Sequence, residues 1–379
     1  MKKMNPITIY QPGKIVFGAN TTGQLPGDCR LLGYKKVLLI FTSPLKNAAN
    51  ELAGKFENLS IRTELMEYRF GEPTVDYFNT MLATAKTVRP DCVIGIGGGS
   101  VLDTAKLLAA LWNSEQNIRE VFGKNLLQSR KCGLICIPTT SGTGSEVSPN
   151  AILLDESDAE KKGVISPFLV PDSCYIDPEL QVGLPPKITA ETAMDALSHC
   201  IEAYTNKFSH PVTDAYALAG IKLITGNLEK ACQNGFDLDA RSALALGSMY
   251  GGMCLGPVNT AAVHALSYGL GGKYHVPHGL ANAILLPEVM RFNLDTCPDK
   301  YREIASAVGA KTASEGIEKI EALAAACGIP QKLSSIGIAQ SEVENLADLA
   351  MKVTRLLVNN PKEVKREDAI EIYNKLLLC

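Results

Sequence analysis

Four side chains carry the chemistry that this sequence most plainly offers. The segment Met194-Asp195-Ala196-Leu197-Ser198-His199-Cys200-Ile201-Glu202 places Met194, Leu197 and Ile201 at helical spacing. Asp195 and His199, four apart, then lie one turn above the other on a single helix face. Further on, the chain supplies His264, and His278 between Pro277 and Gly279, where the backbone is restricted and tightly turned. One carboxylate and three imidazoles form a four-ligand shell that suits Fe(II) or Zn(II) better than Ca(II) or Mg(II). The general affinity order favours zinc over iron, so the spacing leaves the metal open. On spacing alone, Asp195 and His199 are equally well a local polar pair, with the later histidines in packing roles.

Such a set needs elements to hold it, and the hydrophobic pattern describes two kinds. The first half alternates short apolar runs with helical stretches. Val37–Phe41, Cys92–Ile96 and Leu134–Ile137 read as strands covered on both faces, and 76–88 reads as a helix. Strands separated by helices imply a parallel sheet of βαβ units. From Ile188 onward strand signals nearly vanish, and helical patterns follow one another over 189–204, 212–232, 240–254 and on through Leu378. The boundary is set in Leu180–Lys187, which carries Gly183 and Pro185-Pro186. The expected organisation is an α/β N-terminal dinucleotide-binding domain with a parallel sheet, 1–184, followed by an all-α C-terminal metal-binding domain, 185–379.

Two loops at strand ends offer the second kind of chemistry. One is Gly97-Gly98-Gly99-Ser100, with Ser100 as a helix N-cap and Asp103 in the first helical turn. Three glycines there let backbone N–H groups approach a phosphate at the positive end of a helix. The spacing is not G-x-G-x-x-G, so the ordinary Rossmann inference does not apply. The other is Pro138-Thr139-Thr140-Ser141-Gly142-Thr143-Gly144-Ser145-Glu146, again at the carboxyl end of a strand, where open α/β sheets bind ligands. A phosphate-bearing cofactor is the leading reading of the pair.

Bulk properties bound the rest. The chain has 379 residues, 46% apolar and 20% charged, with a net charge of −3, so neither nucleic acid nor an anionic membrane is an expected partner. Its 11 cysteines are dispersed without any Cys-x-x-Cys, which reads as reduced thiols in a cytoplasmic protein. The basic start, Met1 to Pro6, is not followed by an apolar signal core. No apolar run approaches the ~18 residues needed to span a bilayer.

Taken together, these motifs resemble the iron-containing (group III) alcohol dehydrogenase family over nearly the whole chain. The resemblance adds Asp177-Pro178-Glu179-Leu180, Asn282-Ala283-Ile284-Leu285-Leu286-Pro287 and a degenerate Asn360-Pro361-Lys362 to the segments already named. It implies an N-terminal dinucleotide domain, a helical C-terminal domain, and a metal, Fe(II) or alternatively Zn(II), on Asp195, His199, His264 and His278. It also implies NAD or NADP, with the pyrophosphate near Gly97, Gly98, Gly99 and Ser100. Ser43, Asp103, Thr139, Thr140, Thr143, Asn150, Leu180 and Lys161, or its neighbour Lys162, are the further cofactor positions. The implied reaction is hydride transfer between a small alcohol or aldehyde and the nicotinamide, with the metal as Lewis acid. Leu255, Asn259 and Thr260, just before His264, are expected to line the substrate pocket. Family habit adds a homo-oligomer.

Three departures stand out. Tyr268 occupies a position where many members carry a proton-transferring His, and His275 is the other candidate for that role. A tyrosine relays a proton only if its pKa comes down from about 10. Ser43 replaces an Asp that would repel a 2′-phosphate, and Lys46 is nearby, so NADP is expected to be accepted. Glu72 replaces the usual Asn. Competing expectations are a glycerol-dehydrogenase-like or dehydroquinate-synthase-like enzyme on the same architecture, and a non-catalytic metal or nucleotide binder.

Overall fold

The computed structural model describes residues 6–69, 71–158 and 160–377; Met1–Asn5 and Leu378 lie outside the described residues. The chain divides into two compact units, one of residues 10–140 and 145–181, the other of residues 6–9, 141–144 and 182 onward.

The first unit is built on a six-stranded sheet. Its strands are β1 (Lys14–Phe17), β2 (Lys36–Thr42), β3 (Arg62–Tyr68), β4 (Cys92–Gly97), β6 (Gly133–Pro138) and β9 (Ser173–Ile176), in the order β1-β9-β6-β4-β2-β3. Every pairing in it is parallel. Helices α1 (Leu25–Leu31), α2 (Lys46–Glu57), α3 (Val75–Val88) and α4 (Gly99–Leu111) join the strands. Residues 37–41, 92–97 and 134–138 are buried throughout, as wholly apolar central strands of a doubly covered sheet must be. Leu39, Ile94, Ile135 and Ile137 share one core with Phe56 of α2. In register, Gly97 stands opposite Pro138, so both central strands end level and their loops begin side by side.

The sequence pattern does not announce a second, three-stranded sheet. It consists of β5 (Gly123–Lys124), β8 (Glu160–Ile165) and β7 (Asn150–Asp155), in the order β5-β8-β7, with β7 and β8 antiparallel. These strands are short and half polar. Only β7 shows the period-two burial of a one-faced strand.

The second unit is helical: α5 (Pro186–Thr205), α6 (Pro211–Gln233), α7 (Leu238–Leu255), α8 (Ala262–Tyr274), α9 (His278–Asn293), α10 (Pro298–Ala307), α11 (Ala313–Ala326), α12 (Val343–Met351), α13 (Thr354–Leu357) and α14 (Arg366–Leu377). Proline at the first position opens α5, α6 and α10, where its missing N–H has no intrahelical partner to lose. The axis of this unit is α5, buried at every residue from Ala193 to Thr205. Close approach to it requires glycine: a Cβ on Gly279 of α9 would stand 2.2 Å from the Glu191 carbonyl oxygen. None of the described helices is long and apolar enough to cross a membrane.

Candidate functional site

Asp195 and His199 project from the middle of α5, His264 from the first turn of α8, and His278 is the first residue of α9. The contact at Gly279 brings the start of α9 against α5 and carries His278 to Asp195. The Nε2 atoms of His199, His264 and His278 lie 3.7, 3.5 and 3.6 Å from one atom, Asp195 Oδ1. Those separations are at or beyond the limit of a hydrogen bond. A tetrahedral shell with ligand distances of about 2.0–2.1 Å has edges of about 3.3–3.4 Å, so the donor set fits a small divalent cation with minor contraction. Asp195, His199 and His264 are buried and their ligand atoms lie within 4.8 Å of one another, while His278 is a third exposed.

Two residues that the sequence reading leaves without a role brace this set. Asn282, one turn beyond His278 on α9, directs its Nδ2 to Asp195 Oδ1 at 2.7 Å, His264 Nε2 at 3.1 Å and His278 Nε2 at 3.2 Å, while its buried Oδ1 has no partner. Glu202, seven residues after Asp195 on α5, accepts from the Ala261 and Val263 backbone N–H groups at 3.0 and 2.7 Å and bonds His264 Nδ1. A sequence signal existed for both, since 195, 199 and 202 share a helix face, as do 278 and 282.

The local field favours positive charge. Burial opposes ionisation of Asp195, but His199, His278 and His264 outweigh it and hold the carboxyl well below its usual range. For His264, burial works against protonation, and Glu202 followed by Asp195 overcomes it, raising the pKa to about 10. Burial dominates at His199 and lowers its pKa against the pull of Asp195.

The two proton-transfer candidates part company here. The Tyr268 ring packs edge-on to His278 with centroids 6.3 Å apart, and its hydroxyl accepts from Arg355 Nη2 at 2.8 Å. His275 is exposed, in left-handed conformation at the C-terminal end of α8, and none of the described ring contacts or hydrogen bonds joins its side chain to the four. Asn259 and Thr260 form the turn between α7 and α8. Asn259 Oδ1 accepts from Thr260 N at 2.8 Å, and the Thr260 carbonyl accepts from Asn359 at 2.8 Å. Leu255 is buried at the end of α7.

In the α/β unit, Gly97 to Ser100 and Thr139-Thr140 lie together, with Thr139 N donating to Gly97 O at 3.0 Å. A Cβ on Gly98 would meet Thr140 Oγ1 at 3.3 Å, so the glycine keeps a cradle open. The helix after it begins two residues earlier than the pattern suggests. Gly98 is the N-cap, Ser100 lies inside α4, and Asp103 falls beyond the first turn. Asp103 instead accepts from Ser145 Oγ at 2.5 Å and Ile152 N at 2.9 Å, tying α4 to the following loop and β7. Below it, the wholly buried Lys106 donates to the Ser148 and Asn150 carbonyls at 2.9 and 2.8 Å. Burial pushes the Glu146 carboxyl up to about 7 despite its own backbone hydrogen bond and Lys106. Asn150 Oδ1 is buried and has no partner.

Other candidates have partners of their own. Lys161 Nζ meets Glu72 Oε1 at 2.5 Å, whereas Lys162 pairs with Asp155 at 3.0 Å and with Asp158. Ser43, at the end of β2, donates its hydroxyl to Glu67 on β3. Leu180 packs on the sheet core, and Asp177 just before it accepts from Asn20 N and Thr22 N at 3.1 and 3.2 Å. Thr143, with Ser141 to Gly144, belongs to the helical unit, where a Cβ on Gly144 would stand 2.3 Å from Gly252 Cα.

Comparison with known proteins places these observations. Residues 12–178 match the family described as iron-containing alcohol dehydrogenase, and residues 189–377 the C-terminal part of the Fe-containing alcohol dehydrogenase family. The chain is 35% identical to long-chain-alcohol dehydrogenase 1 of Geobacillus thermodenitrificans, over 94% of this chain and 93% of that one. It superposes on a crystal structure of 1,3-propanediol oxidoreductase with a TM-score of 0.93 at 30% identity, covering 98% of this chain and all of the other. For sulfoacetaldehyde reductase from Bifidobacterium kashiwanohense, solved in complex with NAD+, the TM-score is 0.90 at 25% identity, covering 98% and 99% of the two chains. Matched in both halves and against relatives of nearly equal length, this oxidoreductase belongs to the iron-containing alcohol dehydrogenase family, whose members use a metal and NAD(H).

Proposed function

We propose that the protein is a metal-dependent, NAD(P)-linked alcohol dehydrogenase or aldehyde reductase acting on a small alcohol or aldehyde. The observation that carries this reading is the convergence of three imidazole Nε2 atoms at 3.5–3.7 Å on Asp195 Oδ1. Asp195, His199, His264 and His278 would hold a divalent cation, Fe(II) or Zn(II), which supplies Lewis acidity toward the substrate oxygen. The nicotinamide supplies or accepts the hydride. Residues 1–184 take the dinucleotide-binding role and 185–379 the metal-binding role.

The chain's own groups orient the reactants and move the proton. The amides of Gly97 to Ser100 at the start of α4 face a pyrophosphate, as a helix N-terminus favours, and the Thr139 and Thr140 hydroxyls lie beside them. The unpartnered Asn150 Oδ1 supports an acceptor for a ligand N–H. Tyr268, held by Arg355 beside His278, relays the proton in alcohol oxidation, its hydroxyl accepting one from the substrate as it passes its own to solvent, and the relay runs in reverse in aldehyde reduction. At the adenosine end, Ser43 carries no charge to repel a 2′-phosphate, but the Glu67 carboxylate next to it does. NADP is therefore accepted, with an affinity that Glu67 depresses. The enzyme is read as cytoplasmic and homo-oligomeric, with no nucleic-acid partner.

The test is direct. Protein stripped of metal and reloaded with Fe(II), Zn(II) or Mn(II) is assayed with NADH and NADPH against short aldehydes, including hydroxy- and sulfonated ones. Metal-dependent oxidation of the nucleotide is expected. Equal nucleotide oxidation by metal-free protein, or none under any loading, would overturn the reading.

A further inference from the structure

Glu202 is the least expected charged group in the helical core. Its side chain is only 5% exposed, and an ionised carboxylate in such surroundings is costly unless its oxygens are satisfied. Both are. Oε1 accepts from Ala261 N at 3.0 Å and Val263 N at 2.7 Å, and Oε2 bonds His264 Nδ1. The backbone donors belong to the start of α8, whose N-cap position, Ala261, has no capping side chain of its own. Glu202 thus caps α8 from another helix and grips the imidazole that α8 presents three residues into its first turn.

The chemistry of that grip is directional. An ionised carboxylate only accepts hydrogen bonds, so the ring must carry its proton on Nδ1 to meet it. A neutral imidazole with Nδ1–H leaves a lone pair on Nε2. His264 Nε2 is the atom 3.5 Å from Asp195 Oδ1 and 3.1 Å from the Asn282 amide nitrogen, which is itself a donor. Glu202 thus makes Nδ1 the nitrogen that keeps its proton, and Nε2 the one that faces the other three candidate ligands.

We propose that Glu202 is a positioning residue that locks His264 in the Nδ1–H tautomer and fixes the start of α8, so that Nε2 is presented as a ready cation ligand. Glu202 does not itself touch the cation. The assignment rests on the reading of Asp195, His199, His264 and His278 as a cation site, and it adds the device that readies one of the four.

Glu202→Gln separates the two tasks. The glutamine oxygen can still accept from Ala261 and Val263, but its NH2 group now faces Nδ1 and donates. The ring is then driven to carry its proton on Nε2, the wrong atom. We expect metal-free Glu202→Gln to melt within a few degrees of wild type, while its Zn2+ affinity by calorimetry falls roughly 10–100-fold, as loss of such outer partners typically does. Glu202→Asp, which restores the acceptor at shorter reach, should recover part of that loss. In wild type titrated with Zn2+, 15N NMR should show His264 Nδ1 protonated before and after loading, with Nε2 the nitrogen that gives up its proton to the cation. This last measurement decides the matter even if the glutamine variant fails to fold. Wild-type Zn2+ affinity in Glu202→Gln, or an unprotonated His264 Nδ1 in wild type, overturns the role of Glu202 and leaves the cation site standing. Failure of wild type to take up Zn2+ at all overturns the site and this assignment with it.

Discussion

The two units present their candidate chemistry in opposite ways. In the helical unit, the candidate ligands are side chains fixed on buried helices: Asp195 and His199 by a single turn of α5, His264 by Glu202, and His278 by the contact of Gly279 with Glu191. In the α/β unit the candidate cofactor site is largely backbone at the ends of β4 and β6, with Gly98 keeping space open and Asp103 and Lys106 bracing the loop behind. A cation shell tolerates errors of a few tenths of an ångström, so it demands locked side chains. A pyrophosphate is met by main-chain N–H groups whose direction the fold already sets. The first arrangement is intolerant of substitution around it, whereas the second is intolerant only of bulk within it.

The sharpest break comes at the shared ligand oxygen. Asp195→Ala removes the atom on which all three imidazoles converge, and aldehyde-dependent NADH oxidation should fall at least about 10³-fold, roughly 4 kcal/mol of barrier. Nucleotide affinity, measured by quenching or calorimetry, should hold within about twofold, because it belongs to the other region. Next, one substitution made in both regions should give different outcomes. Gly279→Ala puts a methyl into the Glu191 carbonyl and should cost roughly 1–3 kcal/mol of stability, with weakened Zn2+ binding. Gly98→Ala meets only the Thr140 side chain in an extended backbone that alanine adopts freely. It should leave the melting temperature nearly unchanged and weaken NADH binding roughly tenfold.

Smaller effects refine the α/β side. Glu67→Gln should raise affinity for NADPH roughly 3–10-fold while leaving NADH nearly unchanged, since only the 2′-phosphate meets the charge; equal shifts for both nucleotides would remove Glu67 from this role. A pH effect on stability is expected at Glu146, whose folded pKa of about 7 lies above its unfolded value. Between about pH 4.3 and 7 the folded chain binds the extra proton, so this contribution to stability is complete below that window and is lost as pH rises through it. In Glu146→Gln, melting temperature against pH should be flatter across the same interval.

Legibility in the sequence follows the same divide. The central strands can be read because residues such as Val37–Phe41 are apolar without interruption, which only a doubly covered strand requires. The pair Asp195 and His199 can be read because helical spacing makes them neighbours. Edge strands escape: β3, Arg-Thr-Glu-Leu-Met-Glu-Tyr, mixes charge with apolar residues because much of it faces solvent. Ser100 looks like a cap and is not one, because Gly98 already has the extended backbone that the helix start needs. Glu202 and Asn282 signal only that they share a helix face with candidate ligands, and Lys106 not even that, since the partners of each are brought near by the fold. The Glu72–Lys161 pair belongs to the same class, as a loop residue and a residue of β8 whose meeting no spacing rule predicts.

The place of β1 has a consequence for how the chain comes to be folded. It pairs with β9 alone, and Asn20 and Thr22 beyond it are clamped by Asp177. During synthesis, then, the first strand of this sheet to be made has no partner in it until more than a hundred further residues have followed. At ordinary elongation rates that is a wait on the order of ten seconds. Throughout it, the earliest-made part of the sheet is an open edge, and its docking is among the last events to complete the unit.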